Sequence, residues 1–333
     1  MKETAVVILN WNGINWLKQF LPAVVKYSSS DADVIVADNN STDSSISWVK
    51  ENFPKVIIVK NEKNYGFAKG YNESLKSLNY KYFILLNSDV EVTESWIQPL
   101  IKLLKEEKTA ACQPKLLDNK NKEYFEYSGA AGGFIDKFGF PFTRGRILNE
   151  IEKDDGQYND VTEVFWATGA CIAIKSDVFK EVNGFDEDFF AHMEEIDLCW
   201  RIKNIGYQIK YTSESTVYHV GGGTLNKIKP QKTFLNFRNN LFMLHKNLPS
   251  NKLFPILLIR LFIDGIGGMK LLFSDGFSHL IAVIKAHFHF YWYFFKNQRK
   301  RKLSKPSWHK EIYNKSILLD FFLRKKKKYS QLK

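Results

Sequence analysis

Short hydrophobic runs alternate with amphipathic stretches through the first third of the chain. The runs occupy residues 6–9, 34–37, 56–59 and 82–86. Each run is continuous and bounded by polar turn residues, which is typical of strands buried on both faces of a parallel sheet. The stretches between the runs carry apolar residues at helical spacing, as in Trp16, Phe20 and Val24. This alternation predicts an α/β fold with a doubly wound, mostly parallel sheet.

The fourth hydrophobic run leads directly into Asn87, Ser88 and Asp89. Ligands of open α/β sheets bind at the carboxyl ends of the strands. Side chains two residues apart on a strand point the same way, so Asn87 and Asp89 can converge on one hard divalent cation. Such a cation keeps further positions for waters and a substrate diphosphate. A plain turn is the alternative, because these residue types are common in turns.

The first two runs also end in polar residues. Asn10 and Asn12 follow the first run, and Asp38 follows the second, ahead of Asp43. An acid at the end of a strand can accept hydrogen bonds from the base or ribose of a nucleotide. Helix capping is the alternative for both acids, and it is the favoured interpretation for Asp43.

Residues 61–72 follow the third run and contain Gly66 and Gly70. These glycines permit close approach of the backbone to a ligand, and a helix predicted over residues 68–78 could face a phosphate with its N-terminus. The segment matches neither a Walker loop nor a G-x-G-x-x-G fingerprint.

The stretch at residues 185–201 is the second one in which we expect chemistry. Glu195 lies at the start of a predicted helix and on its apolar side, so it could project into a cleft and act as a general base. Its neighbour Glu194 is the competing candidate. Asp197 and Arg201 are four residues apart, which favours a structural ion pair.

His219 ends a predicted strand just before three glycines. This position suits a ligand role, and a structural hydrogen-bonding histidine is the alternative. Residues 132–146 are rich in Gly, Phe and Arg without clear periodicity, and we predict a mobile loop that covers the donor or shapes an acceptor cleft. We expect the acidic residues 150–160 to form a solvated loop.

The chain of 333 residues is 44% hydrophobic, which suits one large α/β domain with an appendage. Its three cysteines form no C-x-x-C pair, so a reducing cytosolic setting fits better than a disulfide or zinc framework. The net charge of +12 belongs to the segment from Lys296 onwards, which holds fourteen basic and two acidic residues. An anionic membrane face or a nucleic acid is the expected partner of such a tail.

Two aromatic stretches, residues 253–273 and 277–295, precede this basic tail. Charged residues interrupt both, and charges inside a membrane span are costly, so neither stretch predicts a span. Helices that lie in the membrane interface fit better, with the polybasic segment on an anionic leaflet. The alternative is that these helices pack on the catalytic domain or on a second copy.

Seven stretches, in this order, resemble the family 2 glycosyltransferases, the inverting class with the GT-A fold, and in particular the bacterial rhamnosyltransferase-like branch. They are residues 7–13, 37–43, 64–68, 86–91, 168–170, 194–201 and 219–222. The resemblance covers residues 5–240. It implies a GT-A domain over residues 1–240, with a nucleotide-sugar-binding half (1–115) and an acceptor and catalytic half (116–240). Residues 241–333 would form a helical, aromatic and polybasic extension that associates with a membrane.

The resemblance also implies site residues. Asp89 matches the metal-binding acid of the family's D-x-D element, whose first acid is Asn87 here, and His219 matches a histidine that can complete a Mg²⁺ or Mn²⁺ site. The family's catalytic acid falls on Glu195, with Glu in place of Asp, and Glu194 stays open as an alternative. Nucleotide-sugar binding is implied for Asn10, Asn12, Asp38, Asn40, Asn64, Gly66, Phe67, Asn87 and Ser88.

The implied activity is that of an inverting hexosyltransferase of cell-surface polysaccharide synthesis. The donor would be dTDP-rhamnose or a UDP sugar, and the acceptor a hydroxyl of a glycan or a polyprenyl-linked sugar. We expect the protein in the cytoplasm, peripheral at the inner face of the cell membrane, with a homodimer as a further option and without nucleic acid.

Two other classes remain as alternatives. A non-catalytic protein could bind nucleic acid or a membrane through the basic tail, although the body of the chain is neutral. A nucleotidyltransferase would share the α/β core, but residues 10–13 lack the glycine-rich, basic loop that a triphosphate needs.

Overall fold

A computed structural model describes residues 2–221 and 229–332. The strands are β1 (Thr4–Asn10), β2 (Asp33–Asp38), β3 (Ile57–Lys60), β4 (Tyr82–Asn87), β5 (Val90–Val92), β6 (Thr109–Asp118), β7 (Gly133–Ile135), β8 (Pro141–Thr143), β9 (Arg146–Ile147), β10 (Glu150–Ile151), β11 (Val161–Val164), β12 (Cys171–Lys175) and β13 (Gln208–His219). The helices are α1 (Ile14–Ser28), α2 (Ser45–Asn52), α3 (Gly66–Lys76), α4 (Ile97–Leu104), α5 (Ser176–Glu181), α6 (Glu194–Asn204), α7 (Pro230–Asn247), α8 (Ser250–Asp275), α9 (Phe277–Trp292), α10 (Phe294–Leu303) and α11 (Ile317–Phe322), with two 3₁₀ helices at Glu187–Phe189 and Tyr329–Leu332.

The main sheet has the strand order β11-β13-β6-β12-β4-β1-β2-β3, and β5 pairs with the end of β13. Strands β4, β1, β2 and β3 are parallel to one another, as the hydrophobic runs predict. Their side chains pack into hydrophobic clusters that include helices α1 to α4. The register places Asn10 opposite Asp38 and Leu9 opposite Asn87, so three polar strand ends meet at one edge. The predicted α/β fold is confirmed.

Strand β13 joins the second half of the chain to this sheet. It runs parallel to β6 and antiparallel to β11 and β5. Strand β5 begins directly after Asp89, and its first residue, Val90, lies opposite His219. A short strand pair therefore brings together two residues that are far apart in sequence.

The prediction of a mobile loop over residues 132–146 is wrong. Strands β7, β8, β9 and β10 form a small antiparallel sheet in the order β10-β9-β8-β7. Its strands have two or three residues each, which is too short to leave a recognisable period in the sequence. Gly133 lies against Trp166, where a Cβ atom would come within 2.0 Å of the indole ring. Gly133, which in the sequence indicates a loop, is thus required for close packing against Trp166.

The acidic segment 150–160 is also more ordered than a solvated loop. It contributes β10 to the small sheet, and the buried Glu152 accepts a hydrogen bond of 3.0 Å from the Tyr158 hydroxyl. Asp154 pairs with Lys115 at 2.7 Å. Glu152 and Asp154 therefore have partners within the folded protein, which the acidic composition of the segment does not reveal.

The C-terminal helices pack on the catalytic body. Helix α7 contacts α6, α9 and α10, and the segment after α10 returns to the small sheet. There Tyr313 donates from its backbone N–H to the Ile135 carbonyl (2.9 Å), and the Ile317 N–H donates to Asp136 Oδ2 (2.9 Å). Among residues 2–221 and 229–332, no helix is long and apolar enough to cross a bilayer.

A buried ion pair explains the charges that interrupt the apolar stretch of α8. Arg260 and Asp264 are each 1% exposed, and Arg260 Nε donates to Asp264 Oδ1 at 3.0 Å. Arg260 Nη1 also donates to the Phe138 carbonyl, and His287 Nε2 lies 3.1 Å from Asp264 Oδ2. The Arg260 and Asp264 side of α8 is therefore turned toward protein, and large apolar side chains are exposed elsewhere on the helix.

We expect the change Asp264→Ala to lower the free energy of unfolding by about 3–5 kcal/mol, because it leaves the Arg260 guanidinium buried without a counterion. Asp275→Ala is the matched control, since Asp275 is exposed at the end of the same helix, and its effect should stay within about 0.5 kcal/mol. Urea unfolding followed by circular dichroism measures both. Equal effects of the two changes would contradict the role assigned to the pair.

Candidate active site

Asp38 lies at the end of β2 and is 3% exposed. Both of its carboxylate oxygens accept from the Ser41 backbone N–H at 3.3 Å, and Asn10 Nδ2 lies 3.5 Å from Oδ1. Asn10 Nδ2 also contacts the hydroxyls of Ser41 (3.1 Å) and Ser45 (3.0 Å). Asn10 Oδ1 is buried and has no hydrogen-bond partner in the described part of the chain. The ends of β1 and β2 therefore form one hydrogen-bonded polar cluster, in which Asn10 Oδ1 can still accept a hydrogen bond.

Asn12 and Asp43 brace the loop after β2. Asn12 Oδ1 accepts from the backbone N–H groups of Thr42 (2.7 Å) and Asp43 (3.2 Å). Asp43 accepts from the backbone N–H of Ile14 and of Ser45, at the starts of α1 and α2. The capping interpretation of Asp43 is thus confirmed. Asn40 is exposed beside this loop, with a positive φ of 62°.

Asn39 is a buried hub that the sequence analysis missed. Its Nδ2 donates to Asn64 Oδ1 (3.2 Å) and to the Gly66 carbonyl (2.9 Å), and its Oδ1 accepts from Asn61 Nδ2 (2.9 Å). These bonds tie the end of β2 to the glycine turn before α3. An asparagine directly after a strand-end acid was the signal available in the sequence, but its partners lie more than twenty residues away.

Gly169 lies between the predicted donor residue Phe67 and the predicted base Glu195. A Cβ atom on Gly169 would lie 3.2 Å from Phe67 Cζ and 3.8 Å from Glu195 Cβ. The next residue, Ala170, accepts a hydrogen bond of 2.9 Å from the backbone N–H of Asn87. Residues 168–170 therefore connect the polar end of β4 to the start of α6, with Phe67 and Glu195 both next to Gly169.

His219 lies between two carboxylates at the end of β13. Its Nε2 is 3.2 Å from Asp89 Oδ1, and its Nδ1 is 3.1 Å from Glu126 Oε1. Burial by itself lowers the pKa of His219, but the charges and hydrogen bonds of Glu126 and Asp89 outweigh it and raise that pKa to about 10. Glu126 was not predicted from the sequence. Residues 222 and 223 of the predicted glycine run lie outside the described residues.

The donor set at this point fits a divalent cation that is shared with a substrate. No cluster of three or more His, Cys, Asp or Glu side chains that could hold a metal is found within residues 2–221 and 229–332. Asp89 and His219 nevertheless offer an oxygen and a nitrogen side by side, and Mg²⁺ or Mn²⁺ commonly takes one or two protein ligands plus phosphates and waters. Glu126 would orient the imidazole from its other nitrogen. The imidazole must lose its proton to bind a cation, so the affinity should depend on pH.

The two candidate bases differ in the exposure of the whole residue, although the Oε2 atom of each is buried. Glu194 is 5% exposed, whereas Glu195 is only partly buried, and neither Oε2 atom has a hydrogen-bond partner in the described chain. Burial raises the pKa of Glu195 to about 7, and burial together with the charge of Glu195 raises the pKa of Glu194 well above its usual range. A carboxylate that titrates near neutrality is suited to take a proton. Glu195 therefore stays the predicted base, with Glu194 as the alternative.

Asp197 has a structural role, as its spacing from Arg201 predicts. Asp197 is fully buried and accepts from Arg201 Nε at 2.8 Å and from Lys246 Nζ at 2.8 Å. The Asp197 carboxylate is thus paired with two cations inside the protein, and it is not free for chemistry.

The chain is similar to one protein family and to several curated proteins. The family model described as Glycosyl transferase family 2 matches residues 5–182. A low-salt glycan biosynthesis hexosyltransferase, Agl10, from Haloferax volcanii is 22% identical over 259 residues, which is 76% of this chain and 77% of the relative. An N-acetylglucosaminyl-diphospho-decaprenol L-rhamnosyltransferase from Mycobacterium tuberculosis is 24% identical over 230 residues, covering 64% and 75%.

Solved structures share the fold. The crystal structure of GalNAc-T7 with UDP, GalNAc and Mn²⁺ superposes with a TM-score of 0.59 at 16% identity; the match covers 76% of this chain and 49% of GalNAc-T7. The mannosyltransferase PcManGT from Pyrobaculum calidifontis, in complex with GDP-Man and Mn²⁺, gives a TM-score of 0.53 at 12% identity, with coverage of 91% and 84%. This chain thus spans about half the length of GalNAc-T7 and most of the mannosyltransferase.

Proposed function

The chain belongs to glycosyl transferase family 2 and has the GT-A fold, and from this premise we propose how it transfers a sugar. The donor is a nucleotide-diphosphate sugar, and the acceptor is a hydroxyl of a glycan or of a lipid-linked sugar in polysaccharide synthesis. The observation that carries the proposal is the position of Glu195. This partly buried residue lies next to Gly169, as Phe67 does, and the adjoining Ala170 carbonyl accepts from the Asn87 N–H at the end of β4.

The mechanism follows from this arrangement. Glu195 removes the proton of the acceptor hydroxyl while that oxygen attacks the anomeric carbon of the donor. The cation that Asp89 and His219 would hold supplies positive charge for the departing diphosphate. A single displacement of this kind inverts the anomeric configuration.

The donor pocket is proposed at the shared edge of β1, β2 and β4. Asp38 and Asn10 would receive the base or ribose, with Asn12 and Asn40 on the adjoining loop. Asn64, Gly66 and Phe67 would form the opposite wall, and Asn87 and Ser88 would lead to the cation. The rhamnosyltransferase relative supports transfer of a rhamnosyl group, for which we propose dTDP-rhamnose, and the UDP of GalNAc-T7 supports a UDP sugar.

Glu195→Gln should lower the rate of transfer by at least about 100-fold and leave donor affinity unchanged, because the amide cannot accept the proton. Glu181→Gln, on the exposed surface of α5, is the control and should keep the wild-type rate. Glu194→Gln decides between the two acids, and a loss there without a loss in Glu195→Gln would assign the base to Glu194. Radiolabelled sugar transfer measures all three.

The pH profile gives the same experiment a second readout. Because burial raises the pKa of Glu195 to about 7, the base is protonated below that pH and the rate should rise as pH increases through about 7. The residual rate of Glu195→Gln should lack this rise. An unchanged profile in the variant would contradict the assignment.

Asp89→Ala should abolish the metal-dependent stabilisation of the protein by its nucleotide, since Asp89 would supply the carboxylate ligand of the cation. A thermal-shift series with UDP, dTDP, GDP and CMP, each with Mn²⁺, Mg²⁺ or chelator, measures this and identifies the donor base. Asp155→Ala removes an exposed acid and is the control. Stabilisation that persists in Asp89→Ala would rule out the proposed metal site.

We also propose that the C-terminal helices hold the enzyme on an anionic membrane surface, at the inner face of the cell membrane. The outward face of α8 carries large apolar side chains at helical spacing, among them Phe254, Phe262, Ile266 and Phe273, which are 66–83% exposed. Contiguous exposed apolar faces mark interaction sites.

Helices α9 and α10 also expose large apolar side chains and add charge. Phe288, Trp292 and Phe295 are 71–86% exposed, and the exposed basic residues on the same helices and on α8 include Lys270, Lys285, Arg299 and Lys302. Apolar side chains beside basic ones suit an interface between lipid headgroups and acyl chains. A lipid-linked acceptor would be presented at the same surface.

The double change Phe262→Asp and Phe273→Asp should abolish sedimentation with vesicles of equal parts phosphatidylcholine and phosphatidylglycerol. Ile57→Asp with Val161→Asp, at exposed positions on the sheet, is the matched control and should sediment as the wild type does. Wild-type protein that stays in the supernatant at low salt would contradict the proposal, and a doubled mass in light scattering would indicate a homodimer on this face instead.

A further inference from the structure

The turn just before α6 has an unusual backbone. Phe190, His192 and Met193 all have positive φ angles, of 63°, 71° and 71°. Residues with a Cβ atom rarely adopt this conformation, and it persists only where the surrounding structure fixes it. Whatever fixes the turn also fixes the first residues of α6, and therefore the direction in which Glu195 projects.

Two adjacent side chains of α7 bind the carbonyl groups of this turn. Arg238 Nη2 donates to the carbonyls of Asp188 (2.9 Å) and Phe189 (3.1 Å). Asn239 Nδ2 donates to the carbonyls of Phe189 (3.0 Å), Ala191 (2.8 Å) and His192 (2.7 Å). The two side chains thus satisfy four of five consecutive carbonyl groups.

The fifth carbonyl ties the turn to the donor side. The backbone N–H of Phe67 donates to the Phe190 carbonyl at 3.1 Å. The Phe190 ring lies so close to Gly66 that a Cβ atom there would come within 2.7 Å of it. The turn is therefore held between α7 on one side and the proposed donor loop on the other.

Asn239 is itself held in place by its neighbour. It is 0% exposed, and Arg238 Nε donates to Asn239 Oδ1 at 2.9 Å. This bond sets the amide so that its nitrogen faces the turn, and the amide hydrogens are shared among three carbonyl oxygens. Arginine and asparagine act here as one donor unit, without reaching the cleft themselves.

We infer that Asn239, oriented by Arg238, is a positioning residue that holds the turn at residues 190–193 in the conformation that aims Glu195 at the acceptor. The inference rests on the proposed function, because it assigns Glu195 the proton transfer. Loss of the hydrogen bonds from Asn239 lets the turn relax from its positive φ angles, and moves the start of α6 relative to Phe67. A displacement of about 1 Å at a catalytic group can cost about 100-fold in rate.

The test compares Asn239→Ala with Asn240→Ala. Asn240 is the next residue on α7, is 3% exposed and donates to the Gly139 carbonyl at 2.7 Å, away from the turn. Both changes delete one buried amide, so a purely structural effect would be similar in the two. We expect Asn239→Ala to lower kcat by about 100-fold with the donor KM within about threefold, and Asn240→Ala to keep kcat within about threefold.

Hydrogen–deuterium exchange on the same proteins gives a readout that needs no activity. Exchange in peptides over residues 186–197 should be at least about tenfold faster in Asn239→Ala than in wild type, and unchanged in Asn240→Ala. Arg238→Gln, which removes the orienting bond, should show a smaller increase in the same peptides. It serves as the second variant if Asn239→Ala does not fold.

The outcomes separate the inference from the proposed function. Equal kcat values for Asn239→Ala and Asn240→Ala, or unchanged exchange over residues 186–197, would overturn the positioning role. A wild-type protein that transfers no sugar, or a fully active Glu195→Gln, would overturn the proposed function instead, and the exchange measurement would still decide whether Asn239 holds the turn.

Discussion

The pairing of β5 with the last residues of β13 is the constraint on which the site depends. It sets Val90 opposite His219, and the Val220 N–H donates to the Asp89 carbonyl at 3.1 Å. Strand β13 is also paired with β6, which places Asp118 opposite His219, so the histidine lies between two paired strands. Groups that must share a cation or a reacting atom need such support, because small displacements are costly. Glu126 adds the second fixed contact of His219.

A second framework ties α6 to α7. Lys246 of α7 bridges Asp186 (2.6 Å) and Asp197 (2.8 Å), and Asn247 donates to Asp197 at 2.8 Å. These groups are buried, so each charge is stable there only because its partners remain in place. Helix α7 is therefore packed and bonded as part of the catalytic body. This is so although the match to the family model ends at residue 182, before α7 begins.

Part of the positive charge of the basic tail is paired with acids of the catalytic body. Several of its cations are bound to acids of the catalytic body: Lys296 to Asp188, Lys300 to Asp186 and Asp188, Lys310 to Glu163, and Lys327 to Glu150. Exposed pairs of this kind add little stability one by one. The helices are held mainly by their packing on the core, and these pairs leave part of the basic tail already neutralised by the body.

The sequence determined the doubly wound sheet and the polar residues at its edge, because strand runs and strand ends are local signals. Asn10, Asp38 and Asn87 meet as predicted, since parallel neighbours share an edge. The small sheet at residues 133–151, the hub at Asn39 and the partnership of Glu126 with His219 could not be predicted. Each depends on contacts between distant segments that leave no period in the chain. The choice between Glu195 and Glu194 also depends on burial and on contacts of the packed helix, and two adjacent glutamates carry no local sequence signal that separates them.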